Sequence, residues 1–150
     1  MPQSLSLILV HVIFSTKDRE PFIRPEMEAD LHAFLGGIAR DCGCTALAVG
    51  GTDDHVHLLC SLSRTMTVAD LIEELKTRSS KWIKTKDRAY DHFHWQNGYG
   101  AFSIGRSQDQ TVRRYIANQR EHHRKTTFQD EFRAFLKKYG VEYDERYVWD

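Results

Sequence analysis

An apolar run from Val56 to Leu62 is typical of a buried strand, and it begins between two histidines, His55 and His57. Residues two apart on a strand point to the same face of a sheet, so both imidazoles are predicted to converge on one point. Buried polar rings need partners, which restricts what can pack on that face. A shared cation would satisfy both rings, although Asp53 and Asp54 could instead accept their protons.

A second motif begins at Tyr115 and ends at Gln119, inside a segment predicted to be helical. Ser107 with Gln110 predicts a capping box at the start of this helix, which then runs to about Lys125. Residues four apart on a helix share a face, so the tyrosine and the glutamine are expected to point the same way. The structural alternative is a core tyrosine with its hydroxyl at the rim and a glutamine at the surface.

Strands and helices are predicted to alternate along the chain. Pro25 suits a first helical position, Thr67 is expected to cap a helix, and Gly140 is expected to end one. Strands are predicted at Leu5–Phe14, Thr45–Val49, His55–Leu62, His92–Trp95 and Tyr99–Ile104. Helices are predicted from Pro25 to Gly43, from Thr67 through Ile83, from Ser107 to about Lys125, and from Phe128 to Lys138.

The resulting element order, β-α-β-β-α-β-β-α-α, indicates the α+β class. We expect a ferredoxin-like (RRM-like) antiparallel sheet with helices packed on it. With 150 residues the chain is long enough to bury a core, and we find no internal repeat or linker that divides it. The sequence therefore predicts one domain over residues 1–150.

A formal net charge of zero conceals an uneven distribution of charge. Residues 76–125 carry 12 Lys and Arg against 4 Asp and Glu, and they include the predicted tyrosine helix. This basic block favours an anionic partner, although a solvated helix face is the simpler interpretation. Candidate phosphate contacts near the site are Lys17, Arg19, Arg78, Lys81, Arg106, Arg113 and Arg114.

Several classes of protein are disfavoured by the sequence. No apolar run reaches the roughly 18 residues of a membrane span, so no membrane partner is predicted. The segment Met1–Ser4 lacks the basic region of a secretory signal. Cys42, Cys44 and Cys60 form neither an even disulfide framework nor a zinc pattern, so we expect reduced packing residues in a cytoplasmic protein.

The residue types allow one coherent reaction. Attack of a tyrosine on a phosphodiester creates a covalent phosphotyrosine. A divalent cation on two histidines and an amide oxygen would polarise phosphorus and stabilise the departing hydroxyl. Because the phosphoester bond is kept rather than hydrolysed, rejoining requires no nucleotide cofactor. Mixed nitrogen and oxygen ligands suit Mn²⁺, and Mg²⁺ less well.

From about Ser6 to Phe132, the chain resembles the single-tyrosine HUH transposases of the smallest bacterial insertion sequences and their REP-associated relatives. One histidine-hydrophobe-histidine motif alone would be weak, but four motifs in this order are specific. The motifs span residues His11–Arg19, Gly51–Leu59, Trp95–Ser103 and Tyr115–Gln119.

The resemblance implies a transposase that acts on single-stranded DNA and recognises hairpins near the ends of its element. It assigns the metal to His55 and His57, the nucleophile to Tyr115, and completion of the metal site to Gln119. It also implies a 5′-phosphotyrosine link with a free 3′-hydroxyl. Members act as homodimers in which the tyrosine helix of one subunit can serve the histidines of the other.

Other functions stay open from the sequence alone. A domesticated REP-associated relative would cut repeated hairpins in its host genome without moving its own gene. A noncatalytic module would stack single-stranded bases on the exposed aromatics of its sheet. A plain structural domain would use its histidines to fill a core. A further pair, His92 and His94, lies outside the motifs and is expected to be structural.

Overall fold

A computed structural model describes residues 3–149 of the chain. The strands are β1 (Leu9–Ser15), β2 (Thr45–Gly51), β3 (His55–Ser61) and β4 (Gly100–Ile104). The helices are α1 (Pro25–Asp41), α2 (Val68–Lys84), α3 (Asp109–Ala117), α4 (Gln119–His122) and α5 (Phe128–Lys138). Two predicted helix starts are confirmed, because Pro25 opens α1 and the Thr67 side chain accepts a hydrogen bond from the Asp70 amide.

The strands form one antiparallel sheet in the order β2-β3-β1-β4. The crossover through α1 leads from β1 to the edge strand β2, and the β2–β3 hairpin brings β3 to one side of β1. The crossover through α2 then brings β4 to the other side of β1. This is the predicted α+β sheet with helices packed on it, of ferredoxin-like type, so the fold class is confirmed.

The predicted strand His92–Trp95 is wrong, and the sheet has four strands rather than five. Only one isolated bridge forms there, between Thr16 and Trp95. The segment from residue 92 to 95 contacts the chain at the C-terminal end of β1. Just beyond this point the backbone at Asp18 and Arg19, with φ of 54° and 59°, turns away from the strand direction. The pairing therefore has no strand along which to continue.

The predicted helix from Ser107 to Lys125 is also wrong in its bounds and its continuity. Ser107 lies in a 3₁₀ turn, Arg106–Gln108, and α3 starts only at Asp109. Asn118, with φ −105° and ψ 25°, then separates α3 from α4. Gln119 is the first residue of α4 and not part of the tyrosine helix. The break at Asn118 therefore sets the direction of the Gln119 side chain.

The two faces of the sheet have different layers. Val10, Val12 and Phe14 of β1 point into the main core, which they share with α1 and α2. Residues at the alternate positions, such as Leu9 and Ile13, point to the other face, where α3 and α5 pack. Alternation along a strand therefore places the histidines at positions 11, 55 and 57 on the face with α3 and α5.

A glycine lets α3 approach this second face closely. A Cβ on Gly50 of β2 would lie 2.9 Å from the Ile116 Cγ2 atom and closer still to the Ile116 carbonyl oxygen. Only a residue without a side chain fits there. Since Ile116 directly follows Tyr115, this contact also fixes the depth at which the tyrosine sits.

Within residues 3–149, no helix combines the length and apolar character needed to cross a bilayer. Cys42, Cys44 and Cys60 are free thiols in the described chain, and Cys44 and Cys60 are buried in the main core.

Candidate active site

The second face of the sheet carries a buried cluster of histidines, as the strand pattern predicts. His55 and His57 have no exposed surface, and their ring centroids are 5.1 Å apart. Side chains from five elements or loops surround them: His11 of β1, Tyr115 of α3, Gln119 of α4, His123 after α4, and Glu131 of α5. Tyrosine and histidines come together within a single chain.

The orientation of the His55 ring is set by its Nδ1 atom, which lies 2.7 Å from Asp54 Oδ1 and 3.1 Å from Thr52 Oγ1. Burial opposes ionisation of Asp54, but hydrogen bonds from the His55 and Thr52 side chains outweigh it and lower the pKa of the carboxyl. Nδ1 therefore donates to a carboxylate. The alternative in which an adjacent aspartate accepts an imidazole proton thus holds for the Nδ1 atom of His55, and the Nε2 atom is left to face the cluster.

The Nε2 atom of His55 lies 3.0 Å from Gln119 Oε1. The Gln119 amide is oriented by its own NH₂ group, which donates to the Tyr115 carbonyl over 3.3 Å. A neutral His55 would thus present a lone pair to an amide oxygen, and two acceptors at this distance repel each other. A positive charge between them, either a proton or a metal cation, removes the conflict.

The His57 ring is held between two buried partners. Its Nδ1 atom lies 2.8 Å from His11 Nε2, and its Nε2 atom lies 2.8 Å from Glu131 Oε1. Burial lowers the pKa of His57 to about 4, although Glu131 partly offsets this effect, and burial lowers the pKa of His11 to about 3. Both rings are therefore neutral at neutral pH, and their facing nitrogens share one proton.

Glu131 is the residue that sequence reasoning missed. Its side chain is almost fully buried, with Oε1 also 3.7 Å from His55 Nε2. Oε2 accepts a hydrogen bond from the Tyr115 hydroxyl and lies 3.2 Å from the Nε2 atoms of His122 and His123. Burial opposes its ionisation, but hydrogen bonds from His123 and His57 prevail and lower the pKa of the carboxyl.

A signal for Glu131 was present in the sequence. It lies three residues after Phe128 and one before Phe132, on the apolar stripe by which α5 packs against the sheet. A charged residue on a buried stripe must be paired or must coordinate a metal.

His123 was likewise not singled out. Its Nδ1 atom donates to the Thr126 carbonyl over 2.6 Å, so Nε2 faces Gln119 Oε1 at 3.1 Å and the Glu131 carboxylate. Burial opposes protonation of this ring, yet the contact with Glu131 outweighs it and raises the pKa of His123. The ligand atoms of His55, His57, His123 and Glu131 all lie within 4.8 Å of one another.

This donor set fits a divalent cation. Imidazole nitrogens, a carboxylate and an amide oxygen form a mixed nitrogen and oxygen set of the kind that binds Mn²⁺ and related transition metals. The Nδ1 atoms of both strand histidines have partners, which is the usual arrangement when Nε2 binds a metal. The predicted trio, His55, His57 and Gln119, is brought together at this point.

Tyr115 stands at the edge of the cluster. Its ring centroid is 5.8 Å from that of His57, and its hydroxyl lies 3.3 Å from His122 Nε2 as well as against Glu131. Burial, followed by the negative charge of Glu131, raises the pKa of the phenol. The tyrosine is half-buried and lines an open groove of about 460 Å³ together with Arg114 and Lys125.

The basic candidates are scattered. Arg114 lines the groove beside Tyr115, whereas Arg113 forms an ion pair with Asp109 at 2.6 Å and Arg106 lies in the turn before α3. Arg78 is bonded to Asp41 at 2.7 Å, and it shares α2 with Lys81 in the layer on the other side of the sheet. Lys17 and Arg19 lie in the turn after β1, and His92 and His94 are exposed away from the cluster.

Comparison with known proteins gives consistent results. A family model described as "Transposase IS200 like" matches residues 4–119. The ISDra2 transposase TnpA of Deinococcus radiodurans is 23% identical over 116 residues, which cover 74% of this chain and 83% of that protein.

Two solved structures share the fold. The crystal structure of a proposed transposase from Deinococcus radiodurans R1 has a TM-score of 0.61 and 23% identity, and covers 77% of this chain and 93% of that one. A REP-associated tyrosine transposase bound to a REP hairpin has a TM-score of 0.59 and 15% identity, and covers 82% of this chain and 74% of that one.

Proposed function

Because the chain belongs to the IS200-like transposase family, we propose that it cleaves and rejoins single-stranded DNA through a covalent 5′-phosphotyrosine intermediate on Tyr115. The observation that carries this proposal is the position of the phenol. It lies within one chain at the rim of a buried imidazole and carboxylate cluster and at the edge of an open groove.

The proposed reaction balances without a nucleotide cofactor. The Tyr115 oxygen attacks phosphorus and loses its proton, and the bond from phosphorus to the 3′ oxygen breaks. The 3′ oxygen takes up one proton and leaves as a free 3′-hydroxyl, so the step is balanced. The 5′-phosphate stays on the tyrosine. Attack by another 3′-hydroxyl reverses the step, so strand rejoining conserves the phosphoester bond.

His55, His57 and Gln119 are proposed to hold a divalent cation, Mn²⁺ or Mg²⁺, which supplies Lewis-acid polarisation of the phosphate and stabilises the leaving oxygen. The short distance between His55 Nε2 and Gln119 Oε1, 3.0 Å, supports this assignment, because it brings two potential ligand atoms to one point. The His11 contact with His57 and the Asp54 contact with His55 hold the two rings in position.

The proposed DNA partner is a hairpin-bearing single strand. A REP-associated structural relative is bound to a REP hairpin, which supports a folded hairpin as the ligand class. Arg114 and Lys125 line the groove that leads to Tyr115, where they can contact backbone phosphates. That likeness equally favours a second candidate, a domesticated REP-associated hairpin nuclease, and the genomic surroundings of the gene would separate the two.

A homodimer, with active sites that can be shared between subunits, is also proposed from the family resemblance. In the described chain Tyr115 lies beside its own His57. Mixing Tyr115→Phe with His57→Ala protein tests the arrangement, because recovery of cleavage in the mixture requires a tyrosine and a histidine site from different subunits. A mixture that stays inactive indicates sites formed within one chain.

The central test is the covalent adduct itself. A labelled hairpin-bearing strand is incubated with protein and Mn²⁺ and resolved on a denaturing gel. Tyr115→Phe should abolish the adduct, and Tyr147→Phe, at a side chain 70% exposed, is the matched control. An adduct that persists in Tyr115→Phe would contradict the assigned nucleophile. Binding that is indifferent to both Mn²⁺ and the Tyr115→Phe change would instead favour a noncatalytic module.

A further inference from the structure

We propose that Glu131 is a ligand of the same divalent cation, so that a residue of α5 completes the metal site of this chain. The inference rests on the proposed function, since it takes His55 and His57 as metal ligands. Glu131 lies beyond residues 4–119, the segment that the family model matches. The site is therefore completed by a helix outside the shared segment.

Geometry is the first support. The Nδ1 atoms of His55 and His57 are engaged by Asp54 and His11, so both rings turn their Nε2 atoms inward. These Nε2 atoms lie 3.7 and 2.8 Å from one and the same oxygen, Oε1 of Glu131. A cation held by both rings would lie directly against this oxygen.

Charge is the second support. Glu131 is 3% exposed, and among the described residues its ion-pair partners are all histidines. A buried carboxylate whose ion-pair partners are imidazoles belongs to a donor set with which a divalent cation can pair.

The placement of α5 is the third support. Phe128 and Phe132 flank Glu131 and bury the same face of the helix, and the Phe128 ring lies 4.7 Å from that of His55. The helix is thus packed on the sheet through the neighbours of the carboxylate. Because packing fixes the backbone, the carboxylate is held in position before any cation binds, which favours tight binding.

One consequence concerns the nucleophile. Oε1 of Glu131 faces the strand histidines, while Oε2 accepts the hydrogen bond of the Tyr115 hydroxyl. A single carboxylate therefore connects the proposed cation position to the attacking oxygen. Loss of Glu131 would weaken cation binding and would also remove the hydrogen-bond acceptor of the Tyr115 hydroxyl.

Metal affinity, measured without DNA, tests the proposal. Mn²⁺ binding is followed by calorimetry for the full chain, for Glu131→Gln, and for Glu142→Gln, an exposed glutamate four residues after α5. We expect Glu131→Gln to weaken Mn²⁺ binding at least tenfold and Glu142→Gln to leave it within twofold. The glutamine variant preserves size, and circular dichroism checks that it folds.

A second measurement and a reference variant distinguish failure of the Glu131 proposal from failure of the proposed metal site. The visible spectrum of bound Co²⁺ should change in Glu131→Gln, because a carboxylate ligand is lost. His57→Ala should abolish binding. If His57→Ala abolishes binding and Glu131→Gln changes neither affinity nor spectrum, the role of Glu131 is overturned and the proposed metal site stands. If His57→Ala binds Mn²⁺ normally, the proposed metal site itself fails.

Discussion

Replacement of Gly50 by alanine tests whether the spacing between the sheet and α3 controls the chemistry. The new Cβ would lie 2.9 Å from Ile116 Cγ2 and 3.1 Å from the Ile116 carbonyl carbon, and closer than either to the carbonyl oxygen. Ordinary carbon contacts are about 3.5 Å or more, so α3 must retreat by at least about 0.6 Å. The oxygen contact brings the required shift towards about 1 Å. Tyr115, one residue earlier, must move with it.

Two effects are expected from this displacement. Overpacking of a well-filled contact costs about 1–3 kcal/mol in free energy of unfolding, which urea titration at pH 7 measures. Misplacement of a nucleophile by about 1 Å can reduce its rate by about a hundredfold. The rate of covalent adduct formation with a hairpin-bearing strand and Mn²⁺ measures that loss. Tyr115 should remain able to react, only more slowly.

Gly105→Ala is the matched control, because a Cβ there meets nothing within 4 Å and the residue has an ordinary φ of −73°. It should retain both stability and adduct rate. If Gly50→Ala matches this control in both measurements, the contact with Ile116 does not set the depth of the tyrosine. If only the stability falls, α3 yields without moving the phenol, and the link to chemistry is refuted.

Three further predictions follow from the site. His11→Leu removes the Nδ1 partner of His57 and should weaken Mn²⁺ binding about tenfold in calorimetry. Because burial lowers the pKa of His57 from 6.5 to about 4, the unfolded chain takes up protons first, and this ring alone should remove about 3 kcal/mol of metal-free stability as the pH drops from about 6.5 to 4. Burial lowers the pKa of His11 in the same direction, so urea unfolding of His57→Gln should show a smaller loss than the parent chain rather than none. Arg114→Ala should reduce by about 1 the slope of the logarithm of hairpin affinity against the logarithm of salt concentration, as a salt titration measures. Arg78→Ala, in the layer on the other side of the sheet, should leave this slope unchanged.

Local patterns predicted much of the fold because they depend on near neighbours. The bounds of α5 match the prediction, and alternation along β3 put both histidines on one face. The first strand was predicted to start at Leu5, but its partners end opposite Leu9, at Ser61 and Ile104, and pairing stops with them. A strand needs its neighbours, and their lengths are not visible in a local pattern.

The candidate site shows the same division. His55 and His57 come together through strand geometry, and Tyr115 and Gln119 are candidates proposed from spacing and resemblance. Glu131 joins them through packing across 74 residues of chain, so its position on the apolar stripe of α5 marks a buried carboxylate but does not show which residues it contacts. The break at Asn118 was missed for a related reason, because tertiary packing overrides local helix propensity.

Strand alternation has a consequence for how the chain reaches its native state. If β1 or β3 slipped by one residue against its neighbours, every side chain on the slipped strand would change faces. The imidazoles would enter the main core beneath α1 and α2, and apolar side chains would take their place on the other face. Such a mispaired sheet would lack the clustered nitrogens, so binding of the proposed cation by a refolding sample is expected to report how many molecules have the correct strand pairing.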